Sequence, residues 1–563
     1  MAKPNVLVIL TDDQGWGDLS IHGNTNLNTP NVDSLARDGV LFDRFYVCPV
    51  CAPTRAEFLT GRYHLRGGVH GVSTGAERLN LDETTIADTF KASGYATGAF
   101  GKWHNGTQYP YHPNARGFDE FFGFCSGHWG HYFDAEVEHN GQFTQGRGYL
   151  PDEITNRAMD FMTANVEGDP PFFCYLPYNI PHTPFQVPDR FYDKFRHLPI
   201  EMKATNSEQE DVERTRAALA LCENIDWNVG RLLGKLDQLG IAEDTIVFYF
   251  GDNGPNGARW NGGMKGTKGS TDEGGVRVPG LMRWPKHIRP GRVIKEIAGG
   301  IDLLPTLADM TDVELVSEKP LDGRSLKPLL INEATDWSDR MIFTHQRNKI
   351  SVRNQRFRLD TGGRLYDMSA DPGQTKDVSD DFPEVQSKLV KAVDGWHSEV
   401  LPVQDDRPFP VGYGQSTPLP ARDGVPHGGV QRSAGAPNCS YFTHWTEADD
   451  TMTWDIVIAT SGNYEAVVYY TCPAEDVGAT VELAFNGQTL QGQVTEAHDP
   501  PLVGEANDRC PRGSESYVKD FKPLLLGTFH LTAVRGTLTL RALEVPGSQV
   551  MDVRRVMLTK KEV

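Results

Sequence analysis

Apolar runs alternating with polar, glycine-bearing segments divide the chain into stretches of different character. Over residues 1–335 strands and helices take turns. The run from Asn5 to Leu10 ends in Thr11-Asp12-Asp13-Gln14-Gly15. Thr29-Pro30 opens a helix through a capping threonine and a first-turn proline, and Gly39 closes it. Val40 to Tyr46 and Ala96 to Phe100 read as further strands. Cys222, Ile225, Val229, Leu232 and Leu236 recur on one helical face that ends at Gly240. The β-branched and aromatic run Thr245 to Phe250 follows, leading into Gly251-Asp252-Asn253-Gly254. Helices alternating with buried strands predict a mainly parallel sheet sandwiched by helices, an α/β domain over 1–335. In such sheets ligands bind beyond the carboxyl ends of the strands, where both acidic pairs fall.

The pattern then changes. Met341 to Thr344 and Ile350 to Arg353 precede a helix near Pro383 to Val400, giving a small α+β subdomain over 336–400. Residues 401–437, rich in proline and glycine, read as a linker. From 438 to 563 the pattern is all-β, with strands expected at Ile456–Ala459, Tyr464–Tyr470, Ala479–Phe485, Thr528–Val534 and Thr537–Leu543. Asn486-Gly487 marks a hairpin. This is an appended β-sandwich, similar in kind to a carbohydrate-binding module.

Composition narrows the partners. A formal charge of −20 argues against nucleic acid, whose phosphates require a basic face. No apolar run approaches the ~18 residues of a membrane span. Met1-Ala2-Lys3-Pro4 carries no signal-peptide pattern, so a periplasmic, cell-surface or secreted location requires a leader already removed, with the cytoplasm the remaining option. Eight cysteines in 563 residues do not make a disulfide scaffold, although Cys472 and Cys510 are a conceivable pair.

The chemistry concentrates in a few motifs. In Cys51-Ala52-Pro53-Thr54-Arg55 the proline suits a first helical turn, which places Cys51 at a helix N-terminus that favours anions. Asp12, Asp13, Asp252 and the amide oxygen of Asn253 are hard donors suited to calcium or magnesium rather than zinc. Taken singly, the first motif reads as a buried cysteine beside a proline and the last as a common turn.

Together the motifs resemble type I sulfatases, of the alkaline phosphatase superfamily, through most of residues 4–372. The resemblance rests on Pro4 to Ile9 leading to Asp12-Asp13, the Cys51 segment, Gly101-Lys102-Trp103-His104, Pro181-His182-Thr183-Pro184, Gly251-Asp252-Asn253-Gly254, Lys268 with Glu273 to Pro279, and Leu365-Tyr366-Asp367 with Asp371-Pro372. It implies that a maturation enzyme converts Cys51 to formylglycine. It also implies calcium, with magnesium the second choice, held by Asp12, Asp13, Asp252, Asn253 and residue 51. By the same resemblance Arg55 and Lys102 hold the formylglycine oxygens and sulfate. His104 acts as base, and His182 and Lys268 bind the ester and protonate the leaving alcohol. Lys268 is chosen over Lys265 by its spacing before Glu273. Asn105 stands where the family often has leucine, a change expected to reshape the pocket wall.

Substrate contacts are expected from His128 and His131 in a cluster with Trp129 and Tyr132, and from Arg259, Trp260 and Arg347. The sandwich, with Trp445 and Trp454 near its start, favours a sulfated glycan. Its alternative role, completing the catalytic wall, is the stronger expectation. Phosphonate monoester or phosphodiester hydrolysis, sulfamidase activity and non-catalytic glycan binding are the other readings.

Overall fold

The computed structural model describes residues 3–168, 170–331, 337–401 and 406–561. Its centre is a ten-stranded sheet whose five middle strands run parallel: Thr245–Gly251, Asn5–Thr11, Phe172–Pro177, Ala96–Lys102 and Glu120–Phe124. Because both faces are covered, these strands are nearly continuous apolar runs. Leu7 and Ile9 enter the core under the helices Pro30–Arg37, Leu150–Gly168 and Val212–Gln238, whereas Val6, Val8 and Leu10 enter the core on the opposite face. Outside this centre the pairing is mixed, and it is parallel only where Arg292–Ile294 joins Val40–Phe42 at one edge. Gly280–Arg283 pairs antiparallel with Thr245–Gly251, and an antiparallel hairpin, Glu136–His139 with Gln142–Gln145, closes the far edge.

One expected strand divides. Val40–Phe42 stays in the large sheet, while Phe45–Tyr46 joins a separate three-stranded sheet. The chain changes sheets at Asp43-Arg44, where Arg44 donates to the carbonyls of Gln355 and Lys295.

The small subdomain is present as a four-stranded antiparallel sheet, Ile342–Gln346, Lys349–Arg353, Phe357–Leu359 and Leu365–Asp367, covered by the helix Pro383–Val400. Its expected start at 335/336 lies outside the described residues.

The proline-rich stretch 401–437 is not a linker over its described part, residues 402–405 lying outside that part. Phe409–Val411 and Val425–His427 pair with Thr451–Ile458, and Ser416–Pro420 pairs with Asp552–Lys560. Prolines at 410, 418 and 426 fit such edge strands, which show too little alternation to be read as strands. The sandwich therefore begins near residue 409.

Within the sandwich, Trp445 and Trp454 are fully buried, so they pack its interior and cannot serve as a sugar platform. Cys472 belongs to that interior while Cys510 packs against the catalytic core, and both are free thiols, so the considered disulfide is absent. No helix among the described residues is long and apolar enough to cross a membrane.

Polar contacts bind the sandwich to the catalytic domain. Arg422, buried, donates to Ser126 Oγ (2.9 Å) and to Thr107, and lies 3.6 Å from Glu77 and 3.3 Å from Asp423. Gln186 Nε2 donates to Gly504 O and Asp508 Oδ1, both at 2.7 Å. Truncating Arg422 would leave two carboxylates buried without their cation. Arg422→Ala is expected to destabilise the protein by about 3–5 kcal/mol. Denaturant unfolding checks this, and a loss below about 1 kcal/mol, the size of an exposed ion pair, would contradict the assignment.

Candidate active site

Two neighbouring parallel strands build the site. Asn5–Thr11 and Thr245–Gly251 lie in register with Thr11 opposite Gly251, and the Asp252 N–H donates to Thr11 O at 2.9 Å. Both chains leave the sheet at the same edge, which brings Asp12-Asp13 against Asp252-Asn253. The Asp13 N–H donates to Asp252 Oδ1 (3.1 Å), and Asn253 Nδ2 donates to Asp13 Oδ1 (2.8 Å). Asp13 holds a left-handed backbone, φ 66°, as does His104, φ 67°. Such conformations in non-glycine residues persist where the surroundings enforce them.

Three cations answer this negative charge. Lys102, last in its strand, places Nζ 2.6 Å from Asp12 Oδ2. Arg55 reaches Asp252 Oδ2 at 2.8 Å and donates to Lys102 O at 2.6 Å. Lys268 Nζ stands 2.6 Å from Asp13 Oδ1. Burial pushes the Asp12 carboxyl up, but Lys102, His182 and Arg55 outweigh it and hold the group well below the carboxylate range. Burial, followed by the charge of Asp12, pushes Asp252 up to about 6 despite Arg55. Lys268 is held well above its usual value because Asp13 overcomes its burial. Lys265, by contrast, is exposed, with its Nζ 3.8 Å from Asp272.

Cys51 is the first residue of the helix Cys51–Thr60, all of which is buried. Its N-cap, Val50, supplies no side-chain acceptor, so the first-turn N–H groups present the electropositive end of the helix. Thr54 Oγ1 donates to Asp252 O (2.6 Å) and fixes the helix to the acidic loop. Burial raises the Cys51 thiol far above its ordinary value. Ligand atoms of Asp12, Asp13, Cys51 and His182 lie within 4.8 Å of one another.

The donor set fits a divalent cation. Asp12 Oδ1, Asp13 Oδ2 and Asn253 Oδ1 are buried without a hydrogen-bond partner among the described residues. Three such oxygens converging in one place would be costly without an ion.

Two histidines flank the acids. His104 Nε2 lies 2.8 Å from Val72 O, leaving Nδ1 buried and without a partner. Burial, then Lys102, pulls His104 well below its ordinary range, so the ring is neutral. Gly127 packs so closely that a Cβ there would stand 2.5 Å from His104 Nε2. His182 Nδ1 lies 2.7 Å from Thr183 O, and its Nε2 is 3.7 Å from Asp13 Oδ2. Asn105, fully buried, donates to Ala52 O and Glu77 O, so it braces the Cys51 helix and does not form the expected pocket wall.

The expected substrate contacts separate. His128 stacks on His182, with ring centroids 5.8 Å apart and planes 13° apart, and burial lowers it to about 4. His131 instead lines a cleft of about 240 Å³ between catalytic domain and sandwich, with Trp129, Tyr469 and Phe521. Arg259 is buried and committed to Asp18 (2.7 and 2.6 Å) and Asp13 O (2.8 Å), so it supports the Asp13 turn and is not free for a substrate. Trp260 is half-buried beside Trp16. Arg347 is exposed at the turn of the subdomain hairpin. One residue not anticipated is Glu515 of the sandwich, 3.8 Å from His182 Nδ1; as a lone glutamate in a loop, it carries no sequence signal.

Comparison with known proteins agrees with this geometry. A family model described as Sulfatase matches residues 4–313, and one described as N-sulphoglucosamine sulphohydrolase, C-terminal, matches 268–398. Both end before the sandwich. N-acetylgalactosamine-6-sulfatase of Mus musculus is 31% identical over 382 residues, 62% of this chain and 69% of the relative. Steryl-sulfatase of Rattus norvegicus is 30% identical over 437 residues, 60% of this chain and 72% of the relative. The crystal structure of Ps i-CgsB in complex with k-i-k-neocarrahexaose is 29% identical with a TM-score of 0.64, covering 71% of this chain and 93% of that one. The phosphonate monoester hydrolase of Agrobacterium radiobacter, 22% identical with a TM-score of 0.54 and coverage of 71% and 96%, shares the fold alone. The match over more than half the chain and the constellation at residues 12, 13, 51, 102, 252 and 268 lead to one conclusion: the chain belongs to the sulfatase family of sulfuric ester hydrolases, with an alkaline-phosphatase-like fold.

Proposed function

We propose that the protein hydrolyses sulfate esters of a sulfated glycan or oligosaccharide, with formylglycine formed from Cys51 and calcium held by Asp12, Asp13, Asp252 and Asn253. The observation that carries this reading is the set of partnerless buried oxygens beside Cys51, ringed by Arg55, Lys102 and Lys268. Calcium suits a site offering carboxylates and an amide oxygen in irregular geometry. When present, the ion and the hydrated aldehyde supply charge neutralisation and an oxygen nucleophile.

The chain's own residues account for the rest. Arg55 and Lys102 are each locked on an acid, so their charge stays fixed where a sulfate's oxygens arrive, and stabilising that charge requires little reorganisation. His104, neutral with a free Nδ1, accepts a proton at that atom. His182 and Lys268 stand on the Asp13 side, where they hold the ester and return a proton to the departing alcohol. The relatives support a glycan through N-acetylgalactosamine-6-sulfatase and the neocarrahexaose-bound structure, whereas steryl-sulfatase is equally similar. The match over 268–398 adds N-sulfate to the substrates worth assaying.

Two outcomes test the reading. Co-expression with a formylglycine-generating enzyme should lower the mass of the Cys51 peptide by about 18 Da, and Cys51→Ala should lower sulfatase kcat by at least about 1,000-fold. An unmodified, inactive protein under those conditions would favour non-catalytic glycan binding. Calcium added to chelator-treated protein should stabilise it by about 2.7 kcal/mol at a hundredfold excess over Kd. That gain, followed as a thermal shift, should vanish in Asp12→Ala; an equal shift in the variant would place the ion elsewhere.

A further inference from the structure

The wall of the site is built by two domains. Arg512 of the sandwich donates to Gly130 O (2.6 Å), Cys439 Sγ donates to His128 O (2.9 Å), and Val518 packs on Gly130 so closely that a Cβ there would lie 2.4 Å from it. These contacts press residues 512–518 along 128–132 and carry Glu515 into the site. Its Oε1 lies 3.8 Å from His182 Nδ1, while its Oε2 and the neighbouring His128 Nε2 are buried without a partner among the described residues. Burial pushes the Glu515 carboxyl up, but His128, His182, a hydrogen bond with the Thr183 side chain and, last, Lys268 hold it below its usual value, so it is a carboxylate. Its side chain keeps 12% of its surface exposed and that of Lys268 21%, so this wall remains open to an incoming molecule.

A carboxylate is out of place against a sulfate, since like charges repel strongly at low dielectric. The sulfate end is already supplied by Arg55, Lys102 and the Cys51 helix. Glu515 stands instead beside His182 and Lys268, the pair assigned to the departing alcohol. We propose that Glu515 reads the alcohol side of the substrate, accepting a hydrogen bond from a sugar hydroxyl next to the scissile ester and excluding a second anionic group there. This rests on the glycan sulfatase reading and names its substrate class: a sugar unit with a free hydroxyl beside the sulfated one. Specificity would then come partly from repulsion, and from a domain outside both family matches. Were Glu515 only a counter-charge for the histidines, its removal would slow every ester alike.

The test compares matured wild type, Glu515→Gln and Glu515→Ala on monosulfated and vicinally disulfated forms of one sugar, with Tm recorded for each protein. Wild type should favour the monosulfate by about 100-fold in kcat/KM, and Glu515→Gln should narrow that preference at least about tenfold. Active variants that keep the wild-type ratio, or a wild type that prefers the disulfate, would overturn the proposal. If matured wild type cleaves no sulfate ester, the glycan sulfatase reading itself fails. Binding of the unsulfated sugar to unconverted protein then tests Glu515 alone: a Kd weakened about tenfold in Glu515→Ala supports it, and an unchanged Kd overturns it.

Discussion

The structure depends on one electrostatic constraint: four acidic or amide side chains at positions 12, 13, 252 and 253 must share a small, dry volume. Adjacent parallel strands force them together, because Thr11 and Gly251 are paired and each chain turns out of the sheet at the next residue. Burial alone would protonate such a cluster. Arg55, Lys102 and Lys268 prevent this for Asp12 and Asp13, and each is itself placed by a separate element: a helix, a strand end and a glycine-rich loop. Thr54 and Asn105 then fasten the helix that carries Arg55 to the loops it must serve. The residues around the centre thus exist largely to keep charges apart from water and close to one another.

Much of this was legible in the sequence. The acidic pairs directly after apolar runs, the proline two residues beyond Cys51 and the glycine-flanked Lys102 and His104 are local signals, and the structure sets them at strand ends and at a helix start. The helix Pro383–Val400 and the hairpin at Asn486-Gly487 were equally plain. What failed to show was decided at long range. Arg259 looked like a sugar ligand because an arginine beside a tryptophan in a polar loop suits one, yet its partner Asp18 lies 241 residues away in sequence. Trp445 and Trp454 misled in the same way, since nothing local separates a tryptophan in a sandwich core from one on its surface. Residues 409–432 hid their strands because proline edges lack alternation.

The sandwich is therefore best regarded as a structural part of the enzyme. Its union with the catalytic domain is largely polar and buried, through Arg422, Gln186, Arg512 and Arg555, whose guanidinium pairs with Glu136 at 2.9 and 3.0 Å, and this differs from a module tethered by a flexible arm. The interdomain cleft beside His131 is a product of that union and is lined from both sides.

Cys51 is 3% exposed, and its helix is covered on every face. On the proposed reading, a separate enzyme that converts this residue cannot reach it in the finished molecule, so the conversion belongs to the interval before the chain closes. Closure in turn waits for distant sequence: the first site acid is residue 12, whereas Glu515 emerges some five hundred residues later. On that reading, conversion of residue 51 and assembly of the site occupy opposite ends of biosynthesis. A chain that folded too early would be sound in every contact described here and still carry a thiol where the proposed nucleophile belongs.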